Sequence, residues 1–365
     1  MILGIVELYS GASGKKGFYN SQEIGMARAM KSNGYQVYIF YPDSEKKIIS
    51  DELIEENIYI VYVPAKTIGI HSFYDWNVFL KYNLDVVQIG ADNQIFAPSC
   101  IKFCLTHNIL TYLYIGTVES DSRNFFKQSI LKLLMTRNIK TYKRCKCFVK
   151  TKYVQEQLFS CGVRNVEIAE VGLDTSIIPT VNGDKNTLRD FLNLPKDKII
   201  LLFIGRLESY KRPFDALDLL GHLTDDVIFV MIGAGSLENQ LDDTIRKRRL
   251  IDRVIRISSV SNQEIHKYYV AADFFVNFND HEIFGMSILE AMYHGCTVIA
   301  REAPGPCTII QNKYGYLVQN LAEMKEIVSS NKVIDSYMIK EHVNKSFTWR
   351  HSGELIDRWI KSKIK

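Results

Sequence analysis

The stretch KIILLFIGR, residues 198–206, joins an uninterrupted apolar run to a glycine and an arginine. An apolar run of this length that ends at a glycine is typical of a strand buried on both faces of a parallel sheet. The same pattern recurs downstream at residues 226–232, 254–257, 274–278 and 297–300. The second half of the chain is therefore predicted to alternate strands and helices around a parallel sheet.

The first half of the chain shows the same alternation. Residues 2–8 form an apolar run, residues 21–31 carry apolar side chains at helical spacing, and residues 35–41 form the next run. Further buried strands are predicted at residues 84–89 and 109–115. The pattern predicts a second parallel sheet, separate from the first.

These patterns predict an α/β chain with two Rossmann-like domains that face each other across a cleft. The length of 365 residues suits two domains. We expect an N-terminal domain over residues 1–175, a charged linker with two prolines over 176–197, and a C-terminal domain over 198–342. Residues 343–365 are expected to form a C-terminal helix that packs back towards the N-terminal domain.

Composition excludes several classes of protein. The net charge of +4 is too small to call for a nucleic-acid partner. The seven cysteines are scattered and odd in number, which favours reduced thiols in a cytoplasmic protein. The sequence shows no signal peptide, and no apolar run approaches the length of a membrane span.

The strongest constellation is NDHEIFGMSILEAM, residues 279–292, where an apolar strand runs through a polar loop into a helix. The first turn of a helix leaves backbone amides unpaired and positive, and Gly285 lets a phosphate approach that backbone closely. Ser287 adds a hydroxyl there. Glu282 and Glu290 flank the helix start, an arrangement that suits a nucleotide sugar with hydroxyls on both sides of a diphosphate.

The pattern Glu-x7-Glu within HEIFGMSILEAM resembles the signature of the family-4 retaining glycosyltransferases, which have the GT-B fold. The resemblance implies that Glu282 contacts the donor sugar and that Glu290 contacts the ribose hydroxyls. It also implies that the backbone of Phe284, Gly285 and Met286 meets the distal phosphate. On the same resemblance, residues 1–175 are expected to be the acceptor domain and residues 198–342 the sugar-nucleotide donor domain.

A second segment, GRLESYKRP at residues 205–213, resembles the segment of that family in which an arginine and a lysine bind the diphosphate. The resemblance implies that Gly205, Arg206 and Lys211 belong to the donor site. Two fixed cations stabilise a leaving diphosphate without a metal. The alternative for the two cations is a surface salt bridge. His281 is either a donor contact or a simple loop residue.

Two features of the first half leave alternatives open. Gly14 and Gly17 follow the first strand, as a flexible loop or as a close approach of backbone to phosphate or acceptor. Residues 123–152 are rich in lysine and arginine and contain no acidic residue. Such a stretch forms a solvated helix face or lies on an anionic membrane surface, here the inner face.

Together these features predict a retaining, metal-independent hexosyltransferase without a cofactor. It would transfer a sugar from a nucleoside diphosphate sugar, with UDP favoured, to a glycan or lipid-linked acceptor in surface polysaccharide or glycoconjugate assembly. The alternative is a non-catalytic partner in an assembly complex that binds a sugar nucleotide or a glycan. A sugar-nucleotide epimerase and a pyridoxal-phosphate phosphorylase fit the motifs less well.

Overall fold

The structure is a computed structural model and describes residues 1–10, 21–118 and 125–364. The chain forms two compact units. Unit 1 consists of Met1–Asp174 together with Thr348–Lys365, and unit 2 consists of Thr175–Phe347. Each unit contains its own sheet, so the predicted fold class of two Rossmann-like α/β units is confirmed.

The described strands, numbered along the chain, are β1 (Ile2–Val6), β2 (Gln36–Asp43), β3 (Ser50–Glu55), β4 (Ile58–Pro64), β5 (Lys66–Ile68), β6 (His71–Phe73), β7 (Val86–Gly90), β8 (Leu110–Ile115), β9 (Lys146–Val149), β10 (Val166–Ile168), β11 (Ile199–Ile204), β12 (Val227–Ile232), β13 (Val254–Ile257), β14 (Phe274–Asn277), β15 (Thr297–Arg301) and β16 (Tyr316–Val318).

The described α-helices are α1 (Gln22–Ser32), α2 (Val78–Lys81), α3 (Ala97–Thr106), α4 (Phe125–Tyr142), α5 (Lys152–Ser160), α6 (Lys185–Phe191), α7 (Pro213–Leu220), α8 (Glu238–Lys247), α9 (Ile265–Ala271), α10 (Met286–Tyr293), α11 (Pro304–Ile310), α12 (Leu321–Ser329), α13 (Ser336–Ser346) and α14 (Trp349–Lys363).

Unit 1 has an eight-stranded sheet in the order β10-β9-β8-β7-β1-β2-β4-β3. All neighbours are parallel except β3, which pairs antiparallel with β4 at the edge. The sequence patterns correctly predicted β1, β2, β7 and β8, whose apolar runs are buried. The short hairpin of β5 and β6 lies outside this sheet.

The C-terminal helix α14 belongs to unit 1, where it packs against α1. Gly25 makes the contact possible, because a side-chain carbon at this position would lie 2.2 Å from the indole nitrogen of Trp349. The hydroxyl of Tyr35 donates to Asp357 at 2.9 Å in the same buried layer. Residues 1–174 therefore share their core with residues from the end of the chain.

Unit 2 has a six-stranded, fully parallel sheet in the order β13-β12-β11-β14-β15-β16. The segment expected to be a linker, residues 176–197, contains helix α6 and is part of unit 2. Arg189 of this helix donates to Asp273 at 2.6 Å, and the amide of Ile200 donates to the same carboxylate at 2.8 Å. These bonds fix α6 to the start of β11.

The order of strands in unit 2 decides where a ligand can bind. Successive strands run outward from the adjacent pair β11 and β14 in opposite directions, and such a switch point leaves a crevice beyond the carboxyl ends of the two strands. These ends are Ile204 and Asn277. The loops that follow them contain the two segments that the sequence analysis singled out.

Two further findings concern the chain as a whole. Among the described residues, no helix combines the length and the apolar character that a membrane crossing requires. All seven cysteines are free thiols, and five of them are buried.

Candidate functional site

The site centres on the carboxylate of Glu282, in the loop after β14. The ammonium of Lys211, in the loop after β11, lies 2.5 Å from its Oε2 atom. The side-chain amides of Asn277 and Asn279 donate to the same oxygen at 3.4 and 3.2 Å. No described residue donates to Oε1, so that oxygen is open to the hydroxyl of a ligand.

Two asparagines shape the loop that presents Glu282. The side chain of Asn277 accepts from the amide of Asn279 at 2.9 Å, and the side chain of Asn279 accepts from the amide of His281 at 3.0 Å. These are Asx turns, in which a short polar side chain replaces a backbone acceptor. Each asparagine thus both bends the loop and donates to the carboxylate of Glu282.

Two glycines allow the loop to meet the start of α10. Gly285 has φ +97°, a left-handed conformation that L side chains rarely adopt. Gly305 donates its amide to the carbonyl of Glu282 at 2.9 Å, and a side-chain carbon on Gly305 would lie 2.1 Å from the carbonyl oxygen of Phe284. The backbone from Glu282 to Gly285 is therefore held between β14 and the start of α11.

Helix α10 begins at Met286, and no side chain caps its first turn. The amides of Met286 and Ser287 lie in this turn, where no helical carbonyl can accept from them. The partial positive charge of a helix start adds to the attraction for an anion. Gly285, Met286 and Ser287 thus form an edge beside Glu282 whose unpaired amides attract an anion.

Arg206 and Lys211 share one aromatic neighbour. The guanidinium carbon of Arg206 lies 5.5 Å from the ring centroid of Tyr210, and the ammonium of Lys211 lies 5.4 Å from the same centroid. Arg206 is exposed, whereas Lys211 is half-buried in its ion pair. Gly205 packs against Gly233 in the loop after β12. A side-chain carbon on Gly233 would lie 1.9 Å from the carbonyl oxygen of Gly205.

Glu290 lies in a different environment from Glu282. It is on α10, only 7% exposed, and accepts from the hydroxyl of Tyr269 at 2.9 Å. The ring of Tyr269 stacks on His294, which shares a hydrogen bond of 2.8 Å with His266. Burial lowers the pKa of His266 to about 4 and that of His294 to about 3, so both imidazoles are neutral at neutral pH.

The other residues that the sequence analysis named differ in exposure and in partners. His281 is almost fully exposed, with its ring 3.6 Å from Asp280. Phe284 is buried. Gly14 and Gly17 lie outside the described residues. In the basic stretch 123–152, Lys146 pairs with Glu167 at 2.5 Å and Lys150 pairs with Asp92 at 3.7 Å.

The sequence analysis missed several residues of this site. Asn277 and Asn279 bond Glu282, Tyr210 contacts both cations, and Tyr269 holds Glu290. Asn277 had a recognisable signal, because it is a polar residue at the carboxyl end of a buried strand. Tyr269 had none, because its relation to Glu290 depends on the packing of α9 against α10.

Part of the chain, most of unit 2, is similar to a known protein family. The family model described as "Glycosyl transferases group 1" matches residues 184–346. The D-inositol 3-phosphate glycosyltransferase of Xylanimonas cellulosilytica is 26% identical over 162 residues, which cover 42% of this chain and 39% of that protein. The first curated relatives are matched over only 38 to 50% of their own length.

Solved structures match over nearly the whole chain. HepE from Anabaena, in a complex with UDP, has a TM-score of 0.76 at 15% identity and covers 99% of this chain and 100% of its own. Sucrose-phosphate synthase from Thermosynechococcus elongatus has a TM-score of 0.75 at 15% identity and covers 100% of this chain and 99% of its own. At this identity the likeness shows the fold alone, which is the GT-B class of two Rossmann-like units.

The match over residues 184–346 contains every site residue described in unit 2, and it agrees with the fold found for the chain as a whole. The motifs that had suggested the resemblance, around Lys211 and Glu282, lie within it. Residues 184–346 of the chain therefore match the glycosyl transferases group 1, and the chain as a whole has the fold of the solved glycosyltransferases.

Proposed function

We propose that the protein transfers a sugar from a nucleoside diphosphate sugar to a hydroxyl group, with retention of the anomeric configuration. The ion pair of Lys211 with Glu282 at the switch point of unit 2, beside an uncapped helix start, carries the proposal. One edge of this arrangement attracts an anion and the adjacent carboxylate oxygen accepts from a hydroxyl. A diphosphate linked to a sugar requires both.

Each group has a role in the proposed reaction. Glu282 accepts hydrogen bonds from the donor sugar through Oε1, while Lys211 and the helix start stabilise the charge that develops on the leaving diphosphate. Arg206, exposed at the end of β11, supplies the second cation. Glu290 binds the ribose. Because side chains and backbone amides supply this positive charge, the proposed reaction uses no metal.

We further propose UDP as the nucleotide, because HepE, which has the same fold, was solved with UDP and with UDP-glucose. The proposed acceptor is a glycan or a lipid-linked saccharide, and the proposed process is surface polysaccharide or glycoconjugate assembly in the cytoplasm. Exposed cations in the described part of α4 and after it, among them Arg137, Lys140 and Arg144, support contact with the anionic inner membrane surface. Sedimentation with anionic and neutral vesicles tests that contact.

The test of the donor site combines binding with turnover. Thermal shift against UDP, GDP, ADP and TDP sugars identifies the nucleotide, since a ligand that binds the native state raises its stability. We expect Glu282→Ala and Arg206→Ala to reduce release of the nucleotide by about a hundredfold or more, as the loss of a transition-state contact does. Arg246→Ala, on the exposed face of α8, is the matched control and should retain full activity.

Four outcomes decide the proposal. NMR of the product gives the anomeric configuration, and inversion would contradict retention. Activity that is lost in a chelator and restored by a divalent cation would contradict metal independence. Binding of a sugar nucleotide without hydrolysis or transfer would favour the alternative, a non-catalytic binding partner. Full activity in Glu282→Ala would remove the proposed site.

A further inference from the structure

A second polar cluster lies in unit 1, beyond the carboxyl ends of its parallel strands. In the eight-stranded sheet the chain runs outward in opposite directions from β1 and β7, so this adjacent pair is the switch point of unit 1. Ligands of open parallel sheets bind beside such a pair. The sequence analysis expected the acceptor in this half of the chain, but the two residues it named there, Gly14 and Gly17, lie outside the described residues.

The strand register places three residues side by side on one face of the sheet. Ile5 pairs with Gln88, and Gly90 pairs with Tyr114. Because side chains alternate between the faces of a strand, Glu7, Gly90 and Tyr114 share one face. Gly90 leaves room for its neighbour, since a side-chain carbon there would lie 2.8 Å from Oε1 of Glu7.

Carboxylates predominate around this position. Asp92 accepts from the amide of Gly116 at 2.5 Å and pairs with the ammonium of Lys150 at 3.7 Å. Glu23, at the start of α1, accepts from the hydroxyl of Tyr41 at 3.4 Å. We call Glu7, Glu23, Asp92, Tyr114 and Lys150 the unit 1 cluster.

The electrostatic coupling within the unit 1 cluster agrees with this geometry. Burial raises the pKa of Glu7 well above its ordinary value, and the charges of Glu23 and Asp92 raise it further. The positive charge of Lys150 lowers the pKa of Glu7. The described part of the cluster therefore sets three carboxyl groups against one ammonium.

Tyr114 points to a ligand independently of these charges. Its side chain is 5% exposed, and its hydroxyl has no hydrogen-bond partner among the described residues. The ammonium of Lys150 lies 5.2 Å from its ring centroid. Burial is the main cause that raises the pKa of this hydroxyl. A buried hydroxyl without a partner reduces stability and is rare in native proteins.

We propose that the unit 1 cluster binds the acceptor, and that it takes an uncharged, hydroxyl-rich group, such as a sugar ring or a polyol, in preference to a phosphorylated one. This inference rests on the proposed function. The carboxylates accept hydrogen bonds from the hydroxyls of the acceptor, and Tyr114 and Lys150 donate to its oxygens. Among the described residues, a phosphate brought here would meet the carboxylates of Glu23 and Asp92 and the one ammonium of Lys150, and like charges at short distance repel.

The experiment compares acceptors that differ only in a phosphate. The full-length chain receives the sugar nucleotide that gives the largest thermal shift, with myo-inositol against inositol 3-phosphate, glycerol against glycerol 3-phosphate, and methyl glucoside as a further neutral probe. Release of the nucleotide and the mass of the product are measured. The neutral member of each pair should give a kcat/KM roughly tenfold higher, the factor that corresponds to one charge-assisted interaction.

Two tyrosines of the same strand provide matched variants. Tyr114→Phe removes a hydroxyl without a described partner, so Tm should not fall, whereas KM for the neutral acceptor should rise roughly tenfold with the loss of one hydrogen bond. Tyr112→Phe removes a hydroxyl that donates to Gln88 at 2.9 Å. Here Tm should fall while KM for the acceptor stays unchanged.

Charge is tested separately. Glu23→Gln should narrow the preference for the neutral member of each pair, because it removes one negative charge from the cluster. Glu56→Gln, an exposed carboxylate of unit 1 outside the cluster, should leave the preference as it is. A preference for the phosphorylated member, or an unchanged acceptor KM in Tyr114→Phe, would overturn the inference while leaving the proposed function intact. A chain that neither binds nor hydrolyses any sugar nucleotide overturns the proposed function instead, and this inference with it.

Discussion

The ammonium of Lys211 lies 2.5 Å from Oε2 of Glu282, and the two residues are 71 positions apart in the chain. One follows β11 and the other follows β14, so the pair joins the two loops of the switch point in unit 2. Both side chains are largely shielded from water, at 20% and 13% exposure. The pair therefore fixes the geometry of the site, whereas exposed ion pairs contribute little to stability.

A double-mutant cycle should detect this difference. We expect Lys211→Met and Glu282→Gln to show a coupling of about 1–3 kcal/mol in the free energy of unfolding, as shielded partners in contact do. The exposed pair of Arg246 and Asp243, at 2.9 Å, is the control and should couple by less than about 0.5 kcal/mol. Urea unfolding of the four chains in each cycle measures both values. Equal coupling in the two pairs would contradict the structural role assigned to Lys211.

Substitution of Gly305 should disturb the site without touching any of its polar side chains. In Gly305→Ala the new methyl group would lie 2.1 Å from the carbonyl oxygen of Phe284, so the loop from Glu282 to Gly285 must move. We expect a loss of stability of about 1–3 kcal/mol, typical of overpacking, together with a lower affinity for the sugar nucleotide.

Gly221→Ala is the control for this substitution. Gly221 has a right-handed conformation at the end of α7, and its nearest atoms would lie 3.5 Å from the added methyl group. It should be neutral or slightly stabilising, by up to about 1 kcal/mol. Thermal unfolding and ligand-induced shifts in Tm distinguish the two variants, and an equal effect would contradict the tight contact at Gly305.

Tyr269→Phe should weaken binding of the nucleotide end of the donor. Its hydroxyl donates to Glu290 at 2.9 Å, and the phenylalanine leaves that carboxylate with one donor fewer. We expect KM for the sugar nucleotide to rise roughly tenfold, the factor for one hydrogen bond, with only a small change in kcat. Tyr268→Phe, on the adjacent half-buried position, is the control. A fall in kcat without a change in KM would contradict a role for Tyr269 in binding.

The buried pair of His266 and His294 should make unit 2 sensitive to acid. Burial holds the pKa values at about 4 and about 3, below the value of about 6.5 that histidine has in an unfolded chain. Between pH 6.5 and 4 the unfolded state therefore binds more protons than the folded state. Stability is complete above pH 6.5 and falls as the pH is lowered, by up to about 1.4 kcal/mol per pH unit for each histidine.

The substitution His294→Gln removes one titrating group from this pair. The decrease in Tm between pH 6.5 and pH 4 should become smaller than in the parent protein. His222→Gln, an exposed histidine of the same unit, should leave the pH dependence unchanged. A decrease in Tm that is the same in all three proteins would assign the acid sensitivity to other groups.

The sequence allowed the sheets and the donor loops to be predicted because both have local signals. Buried parallel strands are continuous apolar runs, and the start of α10 was expected within one residue, from a glycine before a helical pattern. Three strands between residues 43 and 84 carried weaker signals. The edge strand β3 has a half-exposed pattern, and the hairpin of β5 and β6 is short.

Contacts between distant segments had no signal in the sequence. The partner of Lys211 depends on the order of strands in the sheet, which places β11 beside β14 although two strands separate them along the chain. The unit 1 cluster likewise depends on the register that brings Glu7 beside Gly90. Composition and periodicity predict neither the Lys211–Glu282 pair nor the unit 1 cluster, because these contacts arise only when the strands pair.

Unit 1 is assembled from two separate pieces of the chain, and this has a consequence for biosynthesis. During translation the residues of β1 to β10 are synthesised first, then all of unit 2, and only then the segment that forms α14. Unit 2 is continuous and can mature while translation proceeds. The face of α1 around Gly25, however, lacks its contact with Trp349 throughout that interval, so this face stays uncovered on the nascent chain until α14 has been synthesised.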